Sequence, residues 1–177
     1  LGSSAANMTV KKASKTNPIY KEIKDSPAHI RAITAYTGHY YKGVNDDLRS
    51  KKPKKKNLEY AELLNDALAN SVPYQGRVAR GMYLYGDDLD KFIKAHQQSA
   101  ATGQPIRHDG FMSTSKGSNA AFGGNIKLDI ISKSGVDVKP LSLHPSENEV
   151  LLPHGSQFIV KKVKQNGSTW VIEMKEI

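Results

Sequence analysis

No cysteine occurs in the 177 residues. Disulfides, thiolate nucleophiles and cysteine-ligated zinc are thereby excluded, and a chain without thiols tolerates any redox compartment. Long hydrophobic runs are also missing. The stretch Ile126 to Ile131 is broken by Lys127 and Asp129, far short of the roughly 20 apolar residues of a helical membrane span. No Gly-x-Gly-x-x-Gly occurs, which removes the Rossmann fingerprint. Gly76 to Gly81 has the glycine spacing of a P-loop but not the Lys-Ser/Thr that must follow it. His108, Asp109 and His144 have no further ligand at metal-binding spacing, so no metal site is expected. Internal repeats and low-complexity tracts are absent. With 38% hydrophobic residues and only eight prolines, the chain carries enough apolar material for a packed core.

Positive charge is in excess. The formal net charge is +9, which points first to a nucleic-acid partner and second to an acidic protein. Much of it is local: Lys51, Lys52, Lys54, Lys55 and Lys56 surround Pro53. Such a run is also what a solvated loop looks like. A nucleic-acid module would combine this run with Tyr36, Tyr40 and Tyr41 as stacking surfaces, although no RRM, KH or helix-turn-helix signature accompanies them. Residues 1–17 are polar and read as a flexible segment with the look of a cut point or cloning remnant. Residues 18–177 read as a single domain.

Ser26-Pro27 is a helix start, a cap followed by proline, with Ile30, Ile33 and Tyr36 at helical spacing. Gly38 is expected to break or bend this segment. A second helix is expected over 40–48, and Asn57 is expected to cap a third running to about Asn70. Asp87-Asp88 reads as the cap of a fourth, holding Leu89, Phe92 and Ile93. Val78, Met82 and Leu84 alternate as in a strand. Strands are also expected over 111–115, 125–132, 136–138, 150–152, 158–164 and 169–174, the last two joined by the hairpin signal Asn166-Gly167. Helices first and strands later imply an α+β fold, with N-terminal helices around a mainly antiparallel β core.

Three short pieces could carry chemistry. Arg80 sits in the apolar strand Val78-Ala79-Arg80-Gly81-Met82, an expensive place for a charge unless an anion pairs with it. Ser113-Thr114-Ser115 offers three successive hydroxyls that can bridge backbone, ligand and carboxylate. Glu147-Asn148-Glu149 places two carboxylates on one side of an extended chain, where one can oppose a cation while the other accepts a proton. Taken singly, each is better explained by an edge arginine, a polar strand end or a solvated acidic strand start.

Their order is more specific. Arg80, Ser113 and Glu149 are separated by 33 and 36 residues. This series resembles the arginine–serine–glutamate class of mono-ADP-ribosyltransferases. Glu147 to Phe158 is similar to that family's most distinctive strand and turn. Ala32 to Gly38 and Val44 to Arg49 resemble helices of the clostridial binary toxins that modify actin. The likeness spans about residues 28–163. It implies an ADP-ribosyltransferase fold, NAD as co-substrate, and transfer of ADP-ribose to an arginine of a protein. By resemblance, Arg80 holds phosphate oxygens, Gly81 lets nicotinamide approach the backbone, Ser113 orients Glu149, and Ser113 and Thr114 contact NAD. Glu149 stabilises the ribose cation and Glu147 receives the acceptor guanidinium. Tyr36, Tyr41 and Asn45 contact the nucleotide and Phe122 lies beside nicotinamide. A second phosphate arginine, expected near Asn125, is missing, and Arg77, Lys116 and Lys127 are candidates to replace it. Gly110 stands where relatives can have asparagine. The resemblance further implies a secreted or translocated toxin or effector acting in a target cell's cytoplasm. Its acceptor would be a host or competitor-cell protein, actin first, with an immunity or delivery protein as a further partner. Transfer to a nucleic acid or a non-arginine acceptor stays open.

Overall fold

The computed structural model describes residues 27–117 and 123–177. Helix α1 (Ala28–Ala35) runs into a π-helical turn, Tyr36–Tyr40, and then α2 (Tyr41–Leu48). Helices α3 (Lys55–Ala69) and α4 (Gly86–Thr102) flank strand β1 (Gly76–Met82). The remaining strands are β2 (Ile106–Arg107), β3 (Met112–Lys116), β4 (Ile126–Ser132), β5 (Val136–Asp137), β6 (Glu149–Leu152), β7 (Gln157–Asn166) and β8 (Thr169–Glu176). They form one sheet in the order β2-β7-β8-β4-β1-β3-β6-β5. Among the described residues β4 and β8 run parallel and the other pairings are antiparallel. The α+β reading with a mainly antiparallel core is therefore correct.

Two hydrophobic clusters share strand β6. Its four residues are all buried, Leu151 on one face and Val150 and Leu152 on the other. Leu151 joins Ile33, Tyr36, Val44, Tyr60, Leu64 and Phe111 in the cluster under α1–α3. Val150 and Leu152 join Val78, Leu128, Phe158 and Ile172 in the cluster that meets α4. Strand alternation then decides where Glu149 goes. It lies two residues before Leu151, so its side chain emerges on the face toward α1 and α2. The Tyr60 hydroxyl donates to Ala32 O at 2.7 Å, tying α3 to α1.

Several helix starts differ from expectation, for one recurring reason: the proposed cap is used elsewhere or lies inside the helix. Helix α3 begins two residues before Asn57, because the Asn57 side chain donates to Asp47 Oδ2 at 2.5 Å. Asp87 and Asp88 lie in the first turn of α4 rather than at its cap, where they still favour the helix dipole. Pro27 is the N-cap of α1 rather than its first residue. Gly38, expected to break or bend its segment, lies within the π turn that interrupts the α-helical pattern. Strand β2 was not foreseen; two residues carry no period to read. Residues 1–17 and Ser26 lie outside the described residues.

The end of β1, beyond Arg80, is pinned by backbone contact. Asn125 N donates to Met82 O at 3.1 Å, and the Asn125 side chain both donates to Leu84 O and accepts from Leu84 N. Gly124, at φ +147°, makes this approach possible: a Cβ there would lie 2.7 Å from Met82 O and 2.8 Å from Met82 N. Gly124→Ala is expected to destabilise the protein by about 1–3 kcal/mol, since backbone rather than a mobile side chain must give way. Gly43→Ala, with nothing within 4 Å of the new methyl, should be neutral or stabilising because it lies inside α2. Thermal melts followed by circular dichroism check both, and a Gly124→Ala melt matching the parent would remove this close approach from the account of the fold.

Candidate active site

A chain of hydrogen bonds ends on Glu149. Strands β3 and β6 pair with Ser115 opposite Glu149 and Ser113 opposite Leu151, so both serines share the Glu149 face. The Ser113 hydroxyl lies close enough to both the Glu149 carboxylate and the Tyr36 hydroxyl to favour the ionised form of each. Asn45 Nδ2 donates to the Tyr36 oxygen at 2.9 Å, and Asn45 Oδ1 accepts from Phe111 N at 2.8 Å. A carboxylate can only accept, so the order that serves all four groups runs from the Asn45 amide to the Tyr36 hydroxyl, from Tyr36 to Ser113, and from Ser113 to Glu149. Donors arranged in series polarise one another. Four residues singled out in the sequence thus form one connected unit.

Glu149 is 5% exposed. Burial pushes its carboxyl above the ordinary 4.5. The Ser113 hydrogen bond opposes that shift, Glu147 adds to it, and Arg80 and His144 pull the other way. Burial likewise raises the Tyr36 phenol, against its hydrogen bonds with Ser113 and Asn45, so Tyr36 enters the chain as a neutral donor.

Arg80 lies at the junction of three cavities, of ≈ 510, ≈ 510 and ≈ 330 Å³. Its guanidinium donates to Ser113 O at 3.0 Å, which fixes it beside the strand that holds the serine. Burial lowers its pKa, Tyr36 opposes this, Arg49 lowers it further, and Glu149 again opposes it. A guanidinium starting above about 12 stays charged throughout. Among the described residues no carboxylate forms an ion pair with it.

The cation that accompanies Arg80 is Arg49, which sequence reasoning did not single out. Arg49 and Arg80 line one cavity together with Tyr83, Phe92, His108 and Gly110. A Cβ on Gly110 would lie 2.8 Å from an Arg49 guanidinium nitrogen and 3.0 Å from Asn45 Oδ1. The bare backbone there makes room for both side chains. The three substitutes proposed from sequence are otherwise placed or not drawn into this cavity. Arg77 pairs with Asp129 at 2.7 Å, away from Arg80. Lys116 borders the cavity beside Glu147 but holds Asp137 at 2.5 Å, and Lys127 lines none of the three. Asn125 spends its side chain on Leu84.

Glu147 reaches the site by a different route from the extended segment expected. It closes the 3-10 turn Pro145–Glu147, and Asn148 follows in the left-handed region at φ 48°. The kink breaks the strand alternation, so shared strand parity does not place the two carboxylates. Both nonetheless line the same two cavities, Glu147 exposed and Glu149 buried. Ser115 Oγ donates to Glu147 O at 3.1 Å, Lys116 N to Asn148 O at 3.3 Å, and Lys139 Nζ to Asn148 Oδ1 at 3.1 Å. The π turn holds the segment from the other side. Leu143 N donates to Thr37 Oγ1 at 3.0 Å, and Leu143 packs where a Gly38 Cβ would meet it at 2.9 Å.

Of the other residues proposed, Gly81 lines two of the cavities and Tyr41 the third, half-exposed and edge-on to Tyr36. Thr114 borders a cavity but is buried, and its hydroxyl donates to Val150 O at 2.6 Å. Phe122 lies outside the described residues. Histidines form a pair rather than a metal centre. His96 Nδ1 bonds Phe92 O, and the two Nε2 atoms are 3.0 Å apart. Burial takes His108 down to about 3, with His96 and the two arginines adding to the effect. Among the described residues no group of three or more metal-ligating side chains occurs.

The family model of the ADP-ribosyltransferase exoenzymes matches residues 12–175. A protein of Mycobacterium avium (strain 104), whose name provisionally gives it NAD(+)–arginine ADP-ribosyltransferase activity, is 33% identical over 153 residues. The match takes in 83% of this chain and 18% of that one. The NAD(+)–protein-arginine ADP-ribosyltransferase Tre1 of Serratia proteamaculans (strain 568) is 30% identical over 146 residues, 81% of this chain and 31% of Tre1. The chain therefore spans less than a third of the length of either curated relative. Among solved structures, the type III effector XopAI of Xanthomonas axonopodis pv. citri superposes with a TM-score of 0.71 at 26% identity, covering 89% of this chain and 70% of that one.

The Glu149 carboxyl is expected to titrate above the ordinary carboxylate range. Below about pH 4.5 folded and unfolded chains both hold this proton; above it the folded chain holds it longer. This group's share of stability is therefore lost as pH rises through its raised native value. Arg80→Gln removes a cation that favours the ionised form and should move the titration higher still. Side-chain carbon-13 NMR of labelled glutamate measures both, and a Glu149 midpoint at or below 4.5 would mean that burial does not govern the site.

Proposed function

We propose, because this chain belongs to the ADP-ribosyltransferase exoenzyme family, that it is a catalytic domain that cleaves NAD and transfers ADP-ribose to an arginine of a protein. The observation that carries this reading is the buried Glu149 carboxylate at the end of the Asn45–Tyr36–Ser113 chain, beside a guanidinium held on Ser113 O. NAD-dependent transfer needs a fixed anion against a ribose cation and fixed cations against a pyrophosphate. Arg80 and Arg49, two like charges lining one cavity, suit a dianionic pyrophosphate.

In the proposed reaction the bond between nicotinamide and ribose C1′ breaks, and its electron pair leaves with nicotinamide. The ribose left behind has oxocarbenium character, as in glycoside hydrolysis. Glu149 opposes that charge. Its orientation is set before substrate arrives, so little reorganisation is needed during bond cleavage. A guanidinium nitrogen of the acceptor then bonds to C1′. Arginine's pKa exceeds about 12, so its proton is lost with or after bond formation, to the exposed Glu147 and then to water. Burial keeps Glu149 dedicated to the ribose, and exposure leaves Glu147 accessible to a side chain arriving on a protein surface.

The acceptor is proposed to be a protein of a host or competitor cell. Actin is the first candidate through the resemblance to the binary toxins. Delivery by secretion or translocation, with action in the target cytoplasm, belongs to the same proposal, as does an immunity or delivery protein as partner. No helix among the described residues is long and apolar enough to cross a membrane.

Glu149→Gln should abolish both nicotinamide release and transfer while leaving the fold intact, at a cost of roughly 3–4 kcal/mol in the barrier. Glu147→Gln should abolish transfer to arginine yet leave slow NAD hydrolysis largely in place, because water needs no grip on a guanidinium. Nicotinamide release measured with and without the small arginine analogue agmatine separates the two roles. If both activities fall together in Glu147→Gln, Glu147 belongs to the NAD-cleaving machinery instead. Arg80→Lys should weaken NAD binding, since a point charge does not replace a guanidinium fork on a phosphate. Unchanged affinity in calorimetry would place the phosphates elsewhere.

A further inference from the structure

We propose that the lysine knuckle between α2 and α3 is a docking surface for an acidic face of the acceptor protein. Lys51, Lys52, Lys54, Lys55 and Lys56 are all exposed. Among the described residues the ion pair they make is Lys55 with Glu59, at 3.9 Å and on the surface. Lys54 is the N-cap of α3 and Lys55 and Lys56 its first residues, with no acidic residue in that turn and no side-chain cap. Cations at a helix N-terminus oppose the helix dipole. Local stability therefore argues against this arrangement, and among the described residues no ion pair other than Lys55 with Glu59 uses the charges. A local rule broken with no compensating contact marks a place shaped by something outside the fold.

The knuckle is also held in shape. Asp47 Oδ2 accepts from Lys54 N at 3.3 Å and from Asn57 Nδ2, Asp47 O accepts from Ser50 N at 3.0 Å, and Ser50 Oγ accepts from Lys52 N at 3.1 Å. A surface ordered beforehand loses less freedom when it docks. Its position fits an acceptor. Helix α2 is eight residues long, or about 12 Å at 1.5 Å per residue. Its first residue, Tyr41, lines the cavity that holds Glu147, and Arg49 at its far end lines the cavity shared with Arg80. A protein contributing about 800 Å² to an interface covers a patch of roughly 16 Å radius. A partner whose arginine reaches Glu147 and whose footprint runs along α2 meets the knuckle. Nucleic acid is the lesser fit, because binding of single strands relies on aromatic platforms. Leu58, the exposed hydrophobic residue nearest the lysines in sequence, is not aromatic, and Tyr60 is buried.

This inference rests on the proposed arginine transfer, and the test keeps the two apart. The acceptors are agmatine and two peptides, each with one arginine and about eight flexible glycine and serine residues, a linker spanning roughly 15 Å. One peptide ends in glutamates and its twin in glutamines. The parent protein should favour the glutamate peptide in kcat/KM by about tenfold at low salt, a preference that fades as salt screens it. K51E/K52E/K54E/K56E should abolish or invert that preference, and the matching glutamine variant should abolish it. Both should leave NAD hydrolysis and agmatine transfer unchanged, and the charge-reversed form should melt no lower than the parent. If agmatine is modified but the peptides are used equally, or the variants keep the preference, the docking surface is overturned and the transferase reading stands. If no arginine compound is modified, both fall. Equal use of the peptides together with lysine-dependent gel shift of a single-stranded RNA would assign the knuckle to nucleic acid and overturn the protein assignment.

Discussion

Ser113 has one hydroxyl proton to donate, and the buried Glu149 carboxylate is the acceptor that needs it. Much of the site's arrangement answers that demand. With its proton committed, Ser113 can only accept from Tyr36, Tyr36 in turn from Asn45, and Asn45 is locked by Phe111 N at 2.8 Å. A buried carboxylate without such a donor would take up a proton and lose the charge it is there to supply. Tyr36 opens the π turn, Asn45 lies in the helix that follows it, and Ser113 comes from a central strand. The hydrogen bonds therefore bind the helical layer to the sheet at the point where charge matters most. Arg80 belongs to the same unit, through the carbonyl of the same serine.

Strand β6 explains why this unit is rigid. It carries Glu149 at its first position and is buried on both faces, feeding Leu151 into one cluster and Val150 and Leu152 into the other. Moving Glu149 would mean sliding a strand through two packed cores, and close-packed interiors resist that. Glu147 has the opposite setting. It sits in a single turn tethered by Ser115, Lys116 and Lys139 on one side and Thr37 on the other, all of them single hydrogen bonds on neighbouring residues. One carboxylate is embedded and the other is presented, although a single residue separates them in the chain.

Much of this could be read from the residues alone. Hydrophobic period gave the helices-then-strands order, and the ordered spacing of Arg80, Ser113 and Glu149 led to the residues that converge. What escaped reading depended on contacts far apart in sequence or on single backbone angles. Arg49 closes the stretch Val44 to Arg49 without a signal that marks its own role; its placement depends on the missing side chain of Gly110, far along the chain. The bend at Asn148 needs a left-handed φ that asparagine tolerates but does not announce. Asn57 looked like a cap and instead serves Asp47. In each case a local preference was overruled by a partner that only the fold supplies.

The π turn has a consequence that concerns counting rather than contacts. Tyr36 and Asn45 are nine residues apart, and on an unbroken α-helix, at about 100° per residue, they would face opposite ways. A π turn is a helix with one residue too many, and that extra residue takes up about 100° of the mismatch, leaving an offset that a tyrosine side chain can reach across. The meeting of Tyr36 with Asn45 is thus written partly in the length of the segment 36–40. Adding one codon to that stretch would keep every functional side chain in the sequence and yet turn the two helices out of phase, whereas removing one would leave the pair eight residues apart, about 80° on an ordinary α-helix, the phase the π turn already provides.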